Sequence, residues 1–202
     1  GFPNVGRKAL EYPPSPPLEN YDISGNRDIF KLLDRKDVLL HFPYQRFMHF
    51  IDILREAALS PFVSEIKITL YRVAKNSKVV HALINAARNG KKVTAVIELQ
   101  ARFDEETNIY WAKKLEEEGV NVIFRMKGLK VHAKLLLIRK KIKASYKDYV
   151  SVSTGNFHEG NANVYTDLTL LTSNKNIAAE VVRVFEMFES PYRNYQFNHL
   201  LV

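Results

Sequence analysis

Cysteine is absent from the 202 residues, so disulfides and thiolate metal sites are excluded. No apolar run approaches the roughly 18 residues that a membrane-spanning helix requires, and no secretory leader pattern is visible. The expected setting is therefore cytoplasmic, with peripheral association to a membrane left open. Acidic residues are in short supply. Asp and Glu number 22 against 30 Lys and Arg, for a net charge of +8 and a pI near 9.5. Such a balance suits a polyanionic partner: nucleic acid, acidic lipid or phosphate compounds. Low complexity is confined to the run Tyr12-Pro-Pro-Ser-Pro-Pro17.

What is present is enough apolar residue, 46%, for one real core. Residues 1–40 read as irregular, apart from a short helix in the charged stretch between Asp28 and Asp37. Pro43 suits a first helical turn, and Phe47, Phe50, Ile51, Leu54 and Ala58 then recur at helical spacing up to Pro61. The pattern alternates from there. Strands are expected over 66–71, 92–98 and 120–124, with helices over 79–88 and 104–118 between them; Asn89-Gly90 and Gly119 mark the helix ends. That rhythm implies an α/β fold with a mixed, mostly parallel sheet flanked by helices. Strands over 131–138 and 149–153, joined by a polar loop, form a hairpin; a strand over 167–172 and a helix over 177–188 close the domain. The organisation expected is an irregular segment over 1–40 and a catalytic half-domain over 41–202. The chain opens on Gly1 and ends at Val202 with no terminating signal, and it reads as a piece of a longer protein.

Three groups of residues could carry chemistry. In Val131-His-Ala-Lys134, strand alternation puts Lys130, His132 and Lys134 on one face, where an imidazole can act as nucleophile and an ammonium can neutralise phosphoryl oxygens. The plain alternative is a strand-end histidine held by a hydrogen bond. In Ser153-Thr-Gly-Asn156, Gly155 lets the backbone turn and approach a ligand, while Thr154 and Asn156 offer donors. In Tyr165-Thr-Asp167, a carboxylate stands where it could hold an imidazole in one tautomer. Lys and Arg crowd the stretch from Arg125 to Lys147: Arg125, Lys127, Lys130, Lys134, Arg139, Lys140, Lys141, Lys143 and Lys147.

An HxK followed by a Gly-Asn turn resembles the phospholipase D superfamily pattern HxK(x)4D with a G[ST]xN turn. The aspartate position of that pattern is Arg139 here, and Ser153 replaces the first glycine of the turn. Those departures point to the polyphosphate kinase family, which the chain resembles over about residues 41–193. The resemblance rests on Ile66-Lys-Ile-Thr-Leu-Tyr-Arg72, Asn89-Gly-Lys-Lys-Val93, Glu98-Leu-Gln-Ala-Arg-Phe-Asp-Glu105, Val131-His-Ala-Lys134, Thr154-Gly-Asn-Phe157 and Tyr165-Thr-Asp167, in order and at the family's spacing. It implies a phospholipase D-like half-domain carrying the first HxK. His132 is the histidine phosphorylated by ATP, Tyr165 touches the nucleotide, and Arg72 and Arg102 belong to the magnesium and phosphate site. A guanidinium has no lone pair for a metal, so both arginines are expected to bind phosphate oxygens beside Mg2+ rather than to ligate it. Lys134 spreads charge, and Asp167 orients His132. The implied partners are ATP, ADP and inorganic polyphosphate, with a homo-oligomer for the whole enzyme and no specific nucleic acid. With one HxK half the chain alone is expected to have little or no kinase activity. Two other readings stand beside this one, a phospholipase D-like phosphodiesterase or nuclease and a basic nucleic-acid-binding module.

Overall fold

The computed structural model describes residues 15–25, 28–124 and 130–200. Residues 1–14 of the segment expected to be irregular, and Arg125 and Lys127 of the basic cluster, lie outside them. The elements run α1 (Tyr21–Ser24), α2 (Ile29–Leu33), β1 (Val38–Phe42), α3 (Met48–Leu59), β2 (Val63–Leu70), α4 (Lys78–Arg88), β3 (Lys92–Ile97), α5 (Glu105–Glu117), β4 (Asn121–Phe124), β5 (Lys134–Ile142), β6 (Ser145–Ser153), β7 (Asp167–Thr172) and α6 (Lys175–Glu189), with a 3-10 turn at Asn161–Asn163 before β7.

The seven strands form one mixed sheet in the order β1-β7-β6-β5-β2-β3-β4. Only β2–β3 and β3–β4 pair in parallel, while β1–β7, β7–β6, β6–β5 and β5–β2 are antiparallel. The expectation of a mostly parallel sheet is thus corrected. The β-α-β alternation that produces parallel neighbours ends at β4, and among the described residues the later strands follow each other with no α-helix between them. Helices cover both faces. Val79, Val80 and Leu83 of α4 and Phe50, Ile51 and Leu54 of α3 pack with Ile66, Ile68, Leu136 and Ile138 on one face. Val181, Val184 and Phe185 of α6 pack with Leu135, Leu137 and Val150 on the other.

Three local expectations change. The short helix expected between Asp28 and Asp37 is α2, but the segment read as otherwise irregular also holds α1 and most of β1, whose Val38, Leu40 and Phe42 alternate into the core. Pro43 lies in the turn after that strand, and α3 starts later, at Met48. The polar stretch between the hairpin strands is itself strand: Arg139 pairs with Asp148 and Lys140 with Lys147, so the ladder runs on to Ile142 and Ser145. Arg139 donates to both oxygens of Asp148 at 2.8 and 2.9 Å and to Glu65 at 3.3 Å. Where the phospholipase D pattern has its aspartate, this chain therefore has a cross-strand tie.

Strand direction decides where the site can form. β2, β3 and β6 finish at the edge of the sheet where β5 and β7 begin. The segments after Leu70, Ile97 and Ser153 therefore meet those before Lys134 and Asp167. Loops at one edge of an open sheet, held by rigid strands, are a common place for a binding crevice.

Candidate active site

At that edge a cavity of about 550 Å3 is lined by Arg72, Phe103, His132, Lys134, Thr154, Gly155, Asn156, Asn161, Tyr165, Thr166 and Asp167. Seven of the eight residues singled out in the sequence come together here: His132, Lys134, Asp167, Tyr165, Arg72, Asn156 and Thr154. Arg102 is not in the lining; its guanidinium lies 4.9 Å from the centre of the Phe103 ring.

His132 stands just ahead of β5, so it does not share a strand face with Lys130 and Lys134 as alternation suggested. It is exposed while Lys134 is buried. What joins them is a hydrogen bond from Lys134 Nζ to the His132 carbonyl, 2.5 Å long. The approach to β5 is held by side chains beneath it. Thr69 donates its hydroxyl to the Ala133 carbonyl at 2.6 Å and accepts from the Leu135 N–H at 2.9 Å. Glu98, almost fully buried, accepts from the Val131 N–H at 3.1 Å and from the Gln100 N–H at 2.9 Å. Asn108 of α5 donates to the Tyr71 and Glu98 carbonyls, both at 2.8 Å. Three strand ends are thereby locked to one another, which pre-sets the geometry of the site.

The imidazole makes no hydrogen bond to any described residue, and its ring contact is an edge-on approach by Tyr71, centre to centre 4.8 Å. Tyr71 is the residue that sequence reasoning passed over, although it stands beside Arg72 in a quoted stretch. The same ring lies 5.4 Å from Lys134 Nζ and 5.7 Å from the Arg72 guanidinium carbon. Burial first, then the charges of Lys134 and Arg72, hold the His132 pKa below its ordinary value. Burial also lowers Lys134, with Asp167 opposing and Arg72 reinforcing the shift. Both cations thus favour the neutral form of the imidazole. Arg72 is itself bonded to Asp104, at the head of α5.

Asp167 bonds to the turn rather than to the imidazole. Its Oδ1 accepts from the Thr154 hydroxyl at 2.8 Å, and Thr154 Oγ1 accepts from the Leu168 N–H at 3.0 Å. A Cβ on Gly155 would collide with the Cβ, Cγ and Oδ2 of Asp167. Gly155 does not take a positive φ, so here the glycine makes room for that carboxylate rather than for a left-handed turn, and it also lines the cavity. Ser153 accepts from the Gly155 N–H at 3.1 Å and is 2.7 Å from Thr169 Oγ1, so the departure from the family's glycine gives the turn its own clasp. Asn156 Oδ1 is buried with no protein partner, an orphaned polar atom on the cavity wall.

Beyond the turn, His158 Nδ1 accepts from the N–H groups of Gly160 and Asn161 at 3.0 and 3.2 Å. Glu159 accepts from the Lys78 N–H at the start of α4, 2.6 Å away. The Tyr165 N–H then donates to the Asn161 carbonyl at 2.9 Å. This clamp sets the wall that carries Asn161 and Tyr165. In the whole protein, His158→Ala is expected to raise the nucleotide KM several-fold with a smaller change in kcat. His158→Asn, whose amide oxygen can accept the same N–H groups, should stay near the wild-type values. Steady-state kinetics on both variants checks this, and equal effects from both would remove the clamp.

An α/β sheet with an HxK histidine at its edge and a Gly-Asn turn opposite defines the phospholipase D-like class. The structure titled as a phospholipase D family member, Nuc from Salmonella typhimurium, matches 80% of this chain and 98% of its own at 14% identity with a TM-score of 0.56, which establishes the shared fold. The family model "Polyphosphate kinase C-terminal domain 1" matches residues 28–194, and the chain belongs to that family. A polyphosphate kinase of Vibrio vulnificus strain YJ016 is 50% identical over 201 residues, covering 100% of this chain and 29% of the relative. The crystal structure of polyphosphate kinase from Porphyromonas gingivalis superposes with a TM-score of 0.83 at 39% identity, over 98% of this chain and 33% of that one. The chain thus spans about a third or less of the length of these two relatives.

Proposed function

We propose that this chain supplies the phosphorylated histidine of a polyphosphate kinase: the γ-phosphate of ATP passes to His132 and then to the end of inorganic polyphosphate. The observation that carries the reading is the convergence of His132, Arg72 and Lys134 on one cavity, where the two cations favour the neutral form of the imidazole. An unprotonated ring nitrogen forms a bond to the γ-phosphorus as the bond from that phosphorus to the β,γ-bridging oxygen breaks. ADP leaves with the electron pair. Arg72 and Lys134 spread the charge on the equatorial oxygens, and Thr154 and Asn156 meet the remaining ones. The terminal oxygen of the polymer then attacks the same phosphorus and frees His132. Both steps exchange one activated phosphate for another, so the reaction runs either way with concentration. Asp167 sets Thr154 and offsets Lys134, while Tyr71 steadies the ring.

Magnesium enters with the nucleotide as part of the substrate. Among the described residues no group of three or more His, Asp or Glu side chains could hold a metal, and Asp104 and Asp167 are already bonded to Arg72 and Thr154. Phosphate oxygens and water are the natural ligands of Mg2+ brought in this way.

The test is incubation of the whole protein with γ-labelled ATP and Mg2+. The expected label is stable in base, labile in acid and absent from His132→Ala. Hydrolysis of a separately added phosphodiester to a phosphomonoester and an alcohol, with no protein labelled by ATP, would instead favour the phosphodiesterase reading. The pH dependence adds a sign. A histidine held below its ordinary pKa stays neutral as the pH falls through about 6.5. Phosphorylation should keep its rate through that point and fail only in more acid solution. Single-turnover rates against pH measure this, and an acid limb above pH 6.5 would contradict it.

A further inference from the structure

We propose that Phe103 is an aromatic platform for the nucleobase of the ATP whose phosphates rest on Arg72 and Lys134, an assignment that builds on the function proposed above. Phe103 has a φ of +75°, a left-handed conformation that a bulky side chain adopts only at a cost. Its ring is 81% exposed in this chain, so packing among the described residues does not repay that cost. A glycine would fit this backbone without strain, and packing gives no reason for a phenyl group. The ring does line the cavity.

The backbone is held in place from both sides. The Asp104 N–H donates to the Ala101 carbonyl at 2.9 Å, and Asp104 bonds Arg72 at the head of α5. The guanidinium of Arg102 lies 4.9 Å from the ring centre, and among the described residues Arg102 has no ion-pair partner. Arg102 thus backs the aromatic ring from just outside the cavity lining.

Two chemistries therefore meet at one cavity. His132, Lys134 and Arg72 supply a cationic site, while Phe103 and Tyr165, the latter 60% exposed, supply aromatic surface. A ligand with an anionic end and a flat aromatic end matches both. Inorganic polyphosphate has no aromatic part and matches only the first. Stacking accepts any base, so the platform adds affinity without choosing strongly among nucleotides.

The experiment measures binding of two probes to the whole protein: the β,γ-imido analogue of ATP and inorganic tripolyphosphate. Phe103→Ala should weaken the ATP analogue about 5- to 100-fold, the range of one lost stacking contact, and leave tripolyphosphate unchanged. Phe103→Trp should keep both affinities. Phe103→Gly should lose the analogue as Ala does while raising Tm, because glycine relieves the backbone. An unchanged affinity ratio of the two probes in the Ala and Gly variants overturns the platform. Failure of the wild type to bind either probe overturns the phosphate site itself, and the platform with it.

Discussion

Arg72→Lys is expected to slow phosphorylation of His132 by about a hundred- to a thousandfold, the usual effect of removing one donor aimed at transition-state charge. The charge survives this change, so the loss reports geometry. One Arg72 nitrogen is committed to Asp104 while the side chain also lines the cavity, an arrangement that a planar fork sustains and a single ammonium does not. A lysine would follow the Asp104 carboxylate or the phosphate, but not both. His132 would keep most of the neighbouring positive charge that lowers its pKa, so the acid limb of the rate should move little while the plateau falls. Arg102→Lys provides the contrast. From the sequence the two arginines look equivalent, each in a stretch that carries the resemblance to the polyphosphate kinase family. In the structure Arg102 stands outside the cavity over Phe103, so its replacement should cost about tenfold or less in the same assay, expressed mainly in nucleotide KM. Single-turnover labelling at saturating ATP separates the two. Near-normal turnover in Arg72→Lys would return that residue to a salt bridge with Asp104.

The contrast between the arginines illustrates how much the sequence conveys. Segments with strong patterning were legible: the run from β2 to β4 and the last helix fall where apolar spacing puts them, because β2 and β3 are continuous buried runs and the helices carry an apolar face. β1 was not, although Val38, Leu40 and Phe42 alternate. Five residues between Lys36-Asp37 and Pro43 give a weak signal, and what makes them a strand is pairing with β7 more than 120 residues later, Val38 opposite Leu171 and Phe42 opposite Asp167. The outer hairpin was hidden for a related reason. Its charges read as loop until the register sets Arg139 against Asp148. At the site, residue types and order pointed to residues that share one cavity, but not to which groups touch. Asp167 looked like the partner of His132 and bonds Thr154. Tyr71 looked like strand filling and meets the imidazole ring. Those distinctions come from the directions of five strands at one edge, which local spacing does not encode.

Gly155→Ala is the other change with a large expected effect, and its cause is steric. The backbone at 155 has no positive φ, so alanine could take the conformation; what it cannot take is the space. Its methyl would overlap the Cβ, Cγ and Oδ2 of Asp167. A rotation of the carboxylate clears Oδ2 and Cγ but leaves Cβ, whose place is set by the pairing of Asp167 with Phe42 in the sheet. Either the start of β7 or the Thr154 turn must move. Overpacking of this kind typically costs about 1–3 kcal/mol, which for a domain of this size lowers Tm by several degrees. The chemical effect should be larger than the loss of stability. The Thr154–Asp167 hydrogen bond belongs to the displaced segment, as does Asn156, and a shift of about 1 Å at a reacting centre can cost a hundredfold. In the whole protein, Gly155→Ala should therefore fold, melt somewhat earlier and phosphorylate His132 at about 1% of the wild-type rate. Asp167→Asn keeps the same outline and should leave Tm nearly unchanged with a smaller loss of rate, since its amide oxygen still accepts from Thr154. Thermal melts beside single-turnover labelling check both variants. Wild-type rate and Tm in Gly155→Ala would mean that the turn has slack, and the close approach of Asp167 would then have no part in positioning Thr154 and Asn156.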